Sequence, residues 1–369
     1  MNPLSYYIHR LLKQFAFTLG LCSMLAACSS DGDNNDAVGS DNVGVAFTLS
    51  VADASYTRAA NESSRAVNEG WDNYEPNEDG TDEENMININ DILIFLCDDS
   101  GYKIADIEDV HVSLVSESDG KKRYNITGIW RKPAEKLSMA KKVMVLANCN
   151  VKAQTSTSTD IAEYTFDINS PAYGYTSGKY IPMWGVATLP ALTLGKCTQL
   201  DPINVLRAMA KIKVELRDDM KAYGYSIADM TLNGYNTRGY CLPKEYNNVA
   251  DTKNLQFATS FNPLDSKAAT GMSLTEATPV YVPEYYNTDV SSSATHTSIS
   301  LKLSCNGTKG HTTYTLHFRN YANGAPTGDY FNIQRNHFYT YIIYKEKDQL
   351  AVELHVRKWN KREHDDIIM

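Results

Sequence analysis

The sequence predicts an all-β protein made of two antiparallel β-sandwich domains. Three observations lead to this fold class: apolar residues recur at every second position in many short segments, nearly all connections contain Gly, Pro, Asn, Asp or Ser, and helical periodicity is weak. A chain of 369 residues is too long for one small domain and fits two of ordinary size. The formal net charge of -9 provides no broad basic surface, which argues against nucleic acid as a partner.

Residues 1–27 have the composition of a secretory signal peptide. A basic start is followed by an apolar run that is too short to span a bilayer. The run ends in Leu-Ala-Ala-Cys, which resembles the bacterial lipobox, so we expect the thiol of Cys28 to carry a lipid. The alternative is an ordinary cleavage site with a chance cysteine. Residues 28–42 are rich in Ser, Asp, Asn and Gly, which predicts a flexible tether.

The N-terminal domain is predicted over residues 43–200, and its first strand covers residues 43–51. The odd-numbered positions of this strand hold Val, Val, Phe, Leu and Val, and the even-numbered ones hold small or hydroxyl residues, as in a half-buried strand. The acidic segment 57–85 then predicts an exposed loop that contains Arg58 and Arg65. A cut after either arginine would separate the first strand from the body into which it packs. The other strands of this domain are predicted at residues 87–97, 104–114, 124–130, 143–147 and 164–168.

The C-terminal domain is predicted over residues 201–369. The strand pattern pauses near Leu200 and resumes with one strand over residues 206–216, which sets the domain boundary. The last run, residues 350–356, alternates between apolar and other residues in the same way as the first strand. The other strands of this domain are predicted at residues 280–282, 298–303, 313–318 and 338–344.

The residues that could carry chemistry do not form a catalytic constellation, so no enzyme, cofactor or metal site is expected. The sequence contains no nucleophile elbow, phosphate-binding glycine loop or zinc-protease helix. His311 and His317 would lie about 20 Å apart in one strand, which is too far for a shared metal. Cys97 and Cys149 end or follow apolar runs and are interpreted as buried free thiols. The 24 tyrosines could line a carbohydrate-binding face, although core packing is their commoner use in strands.

Several short motifs, in this order and spacing, resemble those of the fimbrillins, the FimA/Mfa-like subunits of the strand-exchange (type V) fimbriae of Bacteroidia. The resemblance extends from Met1 to Trp359. Besides the lipobox at Cys28 and the first strand, the motifs are Thr57-Arg58-Ala59, Ile181-Pro182-Met183-Trp184-Gly185, Leu206-Arg207-Ala208-Met209-Ala210-Lys211-Ile212, Val280-Tyr281-Val282-Pro283-Glu284, Arg335-Asn336-His337-Phe338-Tyr339 and Val356-Arg357-Lys358-Trp359.

The resemblance implies two transthyretin-like sandwich domains and a role in a cell-surface fimbria. It implies export to the outer membrane as a lipoprotein precursor with Cys28 as the lipidated residue. An arginine-specific surface protease would then cut after Arg58, with Arg65 as the second choice. Loss of the first strand would open a groove that a C-terminal strand of another fimbrial subunit fills, and the mature fimbrium would meet a host or bacterial surface ligand.

The position in the fibre depends on residues 350–356. If this run is free, it can be donated, and the protein is a stalk subunit. If it pairs as a hairpin with residues 338–344, the protein could accept a strand without giving one, as a tip adhesin does, because the charged residues 361–366 make a poor donor strand. An anchor subunit would keep its lipid and escape the cut. The alternative from another class is a surface glycan-binding lipoprotein that never polymerises.

Overall fold

The computed structural model covers most of the chain from Val38 onward. It describes residues 38–51, 74–79, 81, 83–118, 121–156, 160–168, 180–244, 246, 252, 269–287, 296–346 and 349–360. Cys28, Arg58 and Arg65, the residues predicted for lipidation and cleavage, lie outside these ranges. Within them, no helix has the length and apolar composition needed to cross a membrane.

The described residues form 22 strands and one short α-helix. The strands of the first half are β1 (Val43–Val51), β2 (Tyr74–Asp79), β3 (Ile92–Cys97), β4 (Lys103–Asp106), β5 (Glu108–Ser118), β6 (Lys121–Trp130), β7 (Lys142–Ala147), β8 (Thr165–Asp167), β9 (Met183–Thr188), β10 (Cys197–Gln199) and β11 (Ile203–Arg207). Those of the second half are β12 (Ala210–Leu216), β13 (Tyr225–Tyr235), β14 (Arg238–Tyr240), β15 (Ala269–Ser273), β16 (Val280–Val282), β17 (Ser298–Cys305), β18 (Thr308–His317), β19 (Arg319–Ala322), β20 (Ala325–Tyr330), β21 (His337–Glu346) and β22 (Gln349–Asn360). The α-helix is α1 (Asp218–Ala222), and 3-10 turns cover Glu83–Asn85, Ala134–Met139, Gln154–Ser156 and Ile161–Glu163.

Three sheets hold most of these strands. The first has nine strands in the order β4-β3-β7-β9-β11-β1-β6-β5, with β10 also paired to β1. The second has the order β16-β12-β21-β22-β2, and the third has the order β15-β13-β17-β18. The buried apolar residues of all three sheets belong to one contiguous core. The prediction of an all-β sandwich protein is therefore confirmed.

The sheets are not purely antiparallel, in contrast to the sequence prediction. The hairpins are antiparallel, but β1 runs parallel to β10 and β11, β12 runs parallel to β21, and β2 runs parallel to β22. Each parallel pair joins strands that are far apart in the chain. Period-2 patterning identifies a strand but carries no information about the direction of a distant neighbour, which is why the sequence did not reveal these pairs.

The strand predicted over residues 206–216 is in fact two strands in two sheets. β11 ends at Arg207 and pairs with β1 and β9 in the first sheet, whereas β12 begins at Ala210 and pairs with β16 and β21 in the second. The backbone N–H of Ala208, between them, donates to the carbonyl of Pro182 over 2.7 Å. The buried parity changes here, from the odd-numbered Ile203 and Val205 in β11 to the even-numbered Ile212 and Val214 in β12, but residues 206–210 are all buried, so the apolar alternation carries no mark of the crossing. The chain thus changes sheets after Arg207.

Candidate functional site

The first strand, β1, lies in the interior of the first sheet. On one side it pairs antiparallel with β6, from Val43 opposite Trp130 to Leu49 opposite Tyr124. On its other side, the first half of β1 pairs with β10 and the second half with β11, both in parallel. Both backbone edges of β1 are therefore hydrogen-bonded. Removal of the strand would expose two unpaired edges at once.

One face of β1 is buried in the core. Its odd-numbered residues, Val43, Val45, Phe47, Leu49 and Val51, are at most 3% exposed, as expected from the sequence. The even-numbered Gly44 and Ala46 are buried as well, so buried and half-exposed positions alternate only from Phe47 onward. Full burial of such a side chain is worth about 1.5–3 kcal/mol, so the face as a whole contributes on the order of 10 kcal/mol. A groove left by β1 would be strongly apolar and would favour a strand with the same alternation.

The other face of β1 offers two specific polar contacts near its end. Thr48 Oγ1 donates to Asn125 Oδ1 over 3.3 Å, and Ser50 Oγ donates to Asn204 Oδ1 over 2.6 Å. Each asparagine is the residue directly opposite on the neighbouring strand, on β6 and β11 respectively. The amides of Asn125 and Asn204, on opposite sides of β1, thus each accept a hydrogen bond from a hydroxyl side chain of β1, and the two hydroxyl residues are two positions apart.

The chain before β1 is also attached to the body where it is described. Val38 is 9% exposed, and its carbonyl accepts a 2.7 Å hydrogen bond from Asn42 Nδ2. Asn42 Oδ1 in turn accepts from the backbone N–H of Lys132 over 3.2 Å. The end of the segment predicted as a tether is therefore packed against the fold.

The described part of the segment 57–85 is built into the protein, in contrast to the exposed loop that its composition predicted. Tyr74–Asp79 forms β2, an edge strand that pairs in parallel with β22. A few residues later, Glu84 and Asn85 are only 4% and 5% exposed. The strands on either side of Arg58 and Arg65 therefore belong to different sheets, β1 to the first and β2 to the second.

Thr81, Glu84 and Asn85 form what we call the acidic hook. The backbone N–H of Thr81 donates to Glu84 Oε2 over 2.8 Å, and the backbone N–H of Glu84 lies 3.4 Å from Thr81 Oγ1, the reciprocal arrangement of a capping box. Glu84 Oε1 lies 2.9 Å from Lys211 Nζ and also accepts from the hydroxyl of Tyr281. The hook is thereby fixed to the second sheet, since Lys211 lies on β12 and Tyr281 on β16.

Arg207 joins the hook to the point where the chain changes sheets. It is 1% exposed, and its Nε donates to the Glu84 carbonyl over 3.3 Å, while its Nη2 donates to Asn85 Oδ1. Its Nη1 donates to Asn336 Oδ1 over 3.2 Å. Each terminal nitrogen of the guanidinium thus has an oxygen acceptor, which is what allows a cation to remain buried.

The ionisation of Glu84 favours the folded state at neutral pH, whereas that of Arg207 opposes it. Burial by itself would raise the pKa of Glu84, but the charge of Lys211, the hydrogen bonds from Tyr281 and Lys211, and the charge of Arg207 outweigh it, so the pKa lies below its ordinary value of 4.5. Burial lowers the pKa of Arg207 to about 10, which is a cost to folding but still leaves the side chain charged. The Glu84 carboxylate is therefore paired directly with Lys211, and the charge of Arg207 adds to its stabilisation.

A second buried ion pair lies near the first. Arg335 Nη2 is 2.7 Å from Glu284 Oε2, with side chains that are 4% and 2% exposed. The guanidinium also donates to the carbonyls of Tyr240, Cys241 and Leu242, over 3.1, 3.1 and 3.2 Å. Many of the short motifs noticed in the sequence thus supply the residues of two neighbouring buried polar clusters.

The C-terminal run that could be donated is paired within its own chain. β22 forms a hairpin with β21 in continuous register, from His337 opposite Lys358 to Glu346 opposite Gln349. On its other side, the backbone N–H of Val352 donates to the carbonyl of Gly324 over 3.1 Å, and β2 covers the end of the strand. Of the two alternatives left open by the sequence, the structure has the hairpin.

Two cysteines singled out in the sequence lie in the core of the protein. Cys97 and Cys149 are buried free thiols, as expected, and burial together with Asp98 raises the pKa of Cys97 to about 12. Within the residues that the structure describes, no three His, Cys, Asp or Glu side chains are grouped to hold a metal ion.

This sandwich, whose first strand lies in a sheet interior and whose next described strand belongs to another sheet, is similar in fold to a solved fimbrial protein. The chain belongs to the family of fimbrillin-A associated anchor proteins Mfa1 and Mfa2, whose family model matches residues 71–365. Membership gives it a structural or adhesive role in a fimbria at the cell surface, with other fimbrial subunits as partners. None of the curated proteins compared with the chain matches it.

Several solved structures are similar to this chain, and one of them reaches a TM-score of 0.50. The tip fimbrial protein Mfa3 from Porphyromonas gingivalis, truncated at its C-terminus, is 14% identical, with a TM-score of 0.50 over 86% of this chain and 100% of that one. A Bacteroides eggerthii protein provisionally assigned to cell adhesion is 16% identical, with a TM-score of 0.47 over 90% of this chain and 100% of its own. The fimbrial anchor protein Mfa2 from P. gingivalis is 8% identical, with a TM-score of 0.31 over 88% and 100%.

The acidic hook is the feature that sequence reasoning missed. Its signal is present as Thr81-Asp82-Glu83-Glu84, a Thr followed three residues later by Glu, which is the pattern of a capping box. The surrounding acidic residues made the segment look like a solvated loop. Only the position of Lys211 and Arg207 in space shows that one of these carboxylates is buried.

Proposed function

We propose that this protein is a fimbrial subunit that is exported as a lipoprotein through Cys28, cut after Arg58 or Arg65, and completed by a strand of another subunit in place of β1. The observation that carries this proposal is the separate anchoring of β1 and β2. The predicted cuts fall between a strand of the first sheet and a strand of the second. A cut there would release β1 without loosening the segment that follows.

The groove left by β1 supplies the driving force for assembly. It would expose an apolar face and two unpaired backbone edges, on β6 and on β10 with β11. A strand from a second chain satisfies both the hydrogen bonds and the apolar pockets, which is strand addition in its general form. The reaction requires only a donor with five alternating apolar residues, like those of β1.

The pairing of β22 supports a position at an end of the fibre. β22 forms a full hairpin with β21 in its own sheet, so its hydrogen bonds to β21 would have to break before it could be donated to another subunit. A subunit of this kind does not give β22. It accepts a strand at the tip position if β1 is removed, and it takes the anchor position, with β1 still in place, if the lipid is kept and the cut does not occur.

The first experiment is N-terminal sequencing of protein purified from the cell surface. A start at Ala59 or Ala66 supports cleavage and strand acceptance. A single species that begins at acylated Cys28 would contradict cleavage and leave the anchor position or a non-polymerising glycan-binding lipoprotein.

Matched variants test the protease. Changing Arg58 and Arg65 together to Lys keeps both positive charges but removes the arginine side chains that an arginine-specific protease requires. The double variant should accumulate uncut, with fibres that lack this subunit. Normal processing of the Lys variant would refute arginine-specific cleavage.

A truncation tests the end position. Deletion of residues 361–369 removes the charged tail and leaves β22 intact, so incorporation into fibres should be unchanged. If the full chain and the truncated chain pull down the same number of neighbouring subunits, the result supports a subunit that accepts a strand but does not donate its C-terminal tail. Loss of a neighbour on truncation, with the same unfolding midpoint, would show that the tail is donated.

A further inference from the structure

A polar cleft lies at one end of the first sheet, apart from the β1 groove. Its volume is about 480 Å³, within the usual range of 300–1,000 Å³ for small-molecule sites. It is lined by residues around the start of β3, by residues that follow β7, by β8 itself, and by Tyr180 and Pro182 just before β9. Nothing in the β1 proposal uses it.

The wall of the cleft is preorganised by hydrogen bonds. Asn148 Nδ2 donates to the carbonyls of Met86 and Ile181, each over 2.9 Å, and its Oδ1 accepts from the backbone N–H of Asn88 over 2.7 Å. Asp91 accepts from the backbone N–H of Asn150 over 2.8 Å through Oδ2. These bonds fix the loop that precedes β3 against the loop that follows β7, and Asp91 is one of the residues that line the cleft.

Four polar side chains that line the cleft are wholly or partly open to solvent. Asn90, Asn150 and Lys152 are exposed and Tyr180 is half-buried, so each can exchange contacts with water for contacts with a ligand. Two amides and a phenol both donate and accept hydrogen bonds, and an ammonium only donates. The set therefore suits a ligand that carries many groups of both kinds at close spacing.

The lining also excludes other ligand classes. A cleft dominated by amides and carboxylates is a poor site for a lipid or another apolar ligand. Among its lining residues, one cation, Lys152, stands against two carboxylates, Asp91 and Asp167, and Asp167 is also paired with Arg238 over 2.7 Å. A polyanion would meet carboxylates without an excess of positive charge. A neutral, densely hydroxylated molecule fits these constraints.

We infer that this cleft is a binding site for a neutral oligosaccharide. Its hydroxyl groups would exchange hydrogen bonds with Asn90, Asn150 and Asp91, and the apolar face of a sugar ring would lie on the ring of Tyr180. The site lies on the body of the protein, so it does not depend on removal of β1. It would give the fimbrial subunit a ligand of its own.

The test uses the full uncut chain in a detergent without a sugar headgroup, such as lauryldimethylamine oxide. The chain is applied to an array of neutral and acidic oligosaccharides, and the best binder is titrated by calorimetry. Because uncut protein is used, the result is independent of cleavage and strand exchange. We expect retention of at least one neutral oligosaccharide.

Two matched variants locate the site. Asn150 and Asn323 are both exposed and both have positive φ, 52° and 51°, so replacing either by Gly removes an amide without backbone strain. Asn90→Ala combined with Asn150→Gly should weaken binding about tenfold, as expected for the loss of two hydrogen bonds. Asn323→Gly, in the turn between β19 and β20, should bind as the native chain does.

Three results would overturn the inference. They are no retention of any oligosaccharide at millimolar concentration, retention of acidic oligosaccharides alone, and equal affinity of the native chain and the Asn90→Ala/Asn150→Gly variant with unchanged unfolding midpoints. The last would place the sugar elsewhere on the molecule.

Discussion

Replacing Glu84 by Gln should destabilise the protein far more than removing a surface carboxylate. Glu84 and Lys211 have side chains that are 4% and 7% exposed, and their charged atoms are 2.9 Å apart. At that distance and an effective dielectric constant of about 20, the attraction is about 6 kcal/mol before the desolvation of both ions is subtracted. Removing one partner of a buried pair leaves the other charge uncompensated, and we expect a loss of about 3–5 kcal/mol in the free energy of unfolding.

The assay is urea unfolding of the full chain, followed by tryptophan fluorescence at neutral pH. Glu108→Gln is the matched control, because Glu108 pairs with Arg131 at 3.1 Å but the two side chains are 56% and 47% exposed. A surface pair of this kind is worth at most about 1 kcal/mol. Lys211→Met and the double variant complete a cycle that isolates the pair energy. Equal losses for Glu84→Gln and Glu108→Gln would refute the reasoning.

The same variant has a defined pH dependence. Because the pKa of Glu84 in the folded protein lies below 4.5, its contribution to stability is present above that pH and is lost as the pH falls through the folded pKa. The difference between the native chain and Glu84→Gln should therefore be constant near neutral pH and narrow under acid conditions. A difference that grows below pH 4.5 would contradict a lowered pKa.

Two further predictions concern the C-terminal half. Gly324 and Gly307 occupy equivalent Asn-Gly turns with φ of 76° and 79°, but an added Cβ would meet the Cβ of Ala351 at 2.3 Å only at Gly324. Gly307→Ala should lower the free energy of unfolding by about 1–2 kcal/mol through backbone strain. Gly324→Ala should lower it by about 1–3 kcal/mol more, because the added methyl group overpacks against β22. Equal unfolding midpoints of the two variants would contradict this. Burial and the charge of Arg319 lower the pKa of His317 below 6.5, so the folded state resists protonation and stability should fall as the pH drops below that value. His317→Gln should reduce that fall in thermal melts between about pH 7.5 and about pH 5.5, and an unchanged slope would assign the effect to other groups.

The sequence predicts those strands whose side chains decide their structure. β1 and the β21–β22 hairpin have alternating apolar residues, and one buried face is enough to specify them. The sequence could not decide whether β22 is donated to another subunit or pairs with β21 in its own chain, because both arrangements would bury the same residues of β22. That choice depends on β21 and on Gly324, which only the folded chain brings beside it.

β2 could not be predicted from its own residues. Tyr74–Asp79 contains a proline and three acidic residues, which disfavour a strand. It forms because β22 offers it an edge, with Tyr74 opposite Val356. Proline is tolerated because β2 lies at the edge of the sheet. The burial of Glu84 has a similar origin, since the compensating cations lie more than one hundred residues later in the chain.

The two neighbours of β1 leave the direction of its replacement undetermined by the backbone. β1 is antiparallel to β6 and parallel to β11, so a strand inserted in reverse would be parallel to β6 and antiparallel to β11. The two orientations contain one ladder of each kind and have nearly the same hydrogen-bond energy. The direction of the inserted strand must then be selected by side chains. The buried position that Phe47 occupies, and the amides of Asn125 and Asn204 near one end of the groove, favour one direction over the other. The groove therefore distinguishes the correct strand direction from the reverse one through the side-chain sequence of the donor, because the backbone hydrogen bonds do not distinguish them.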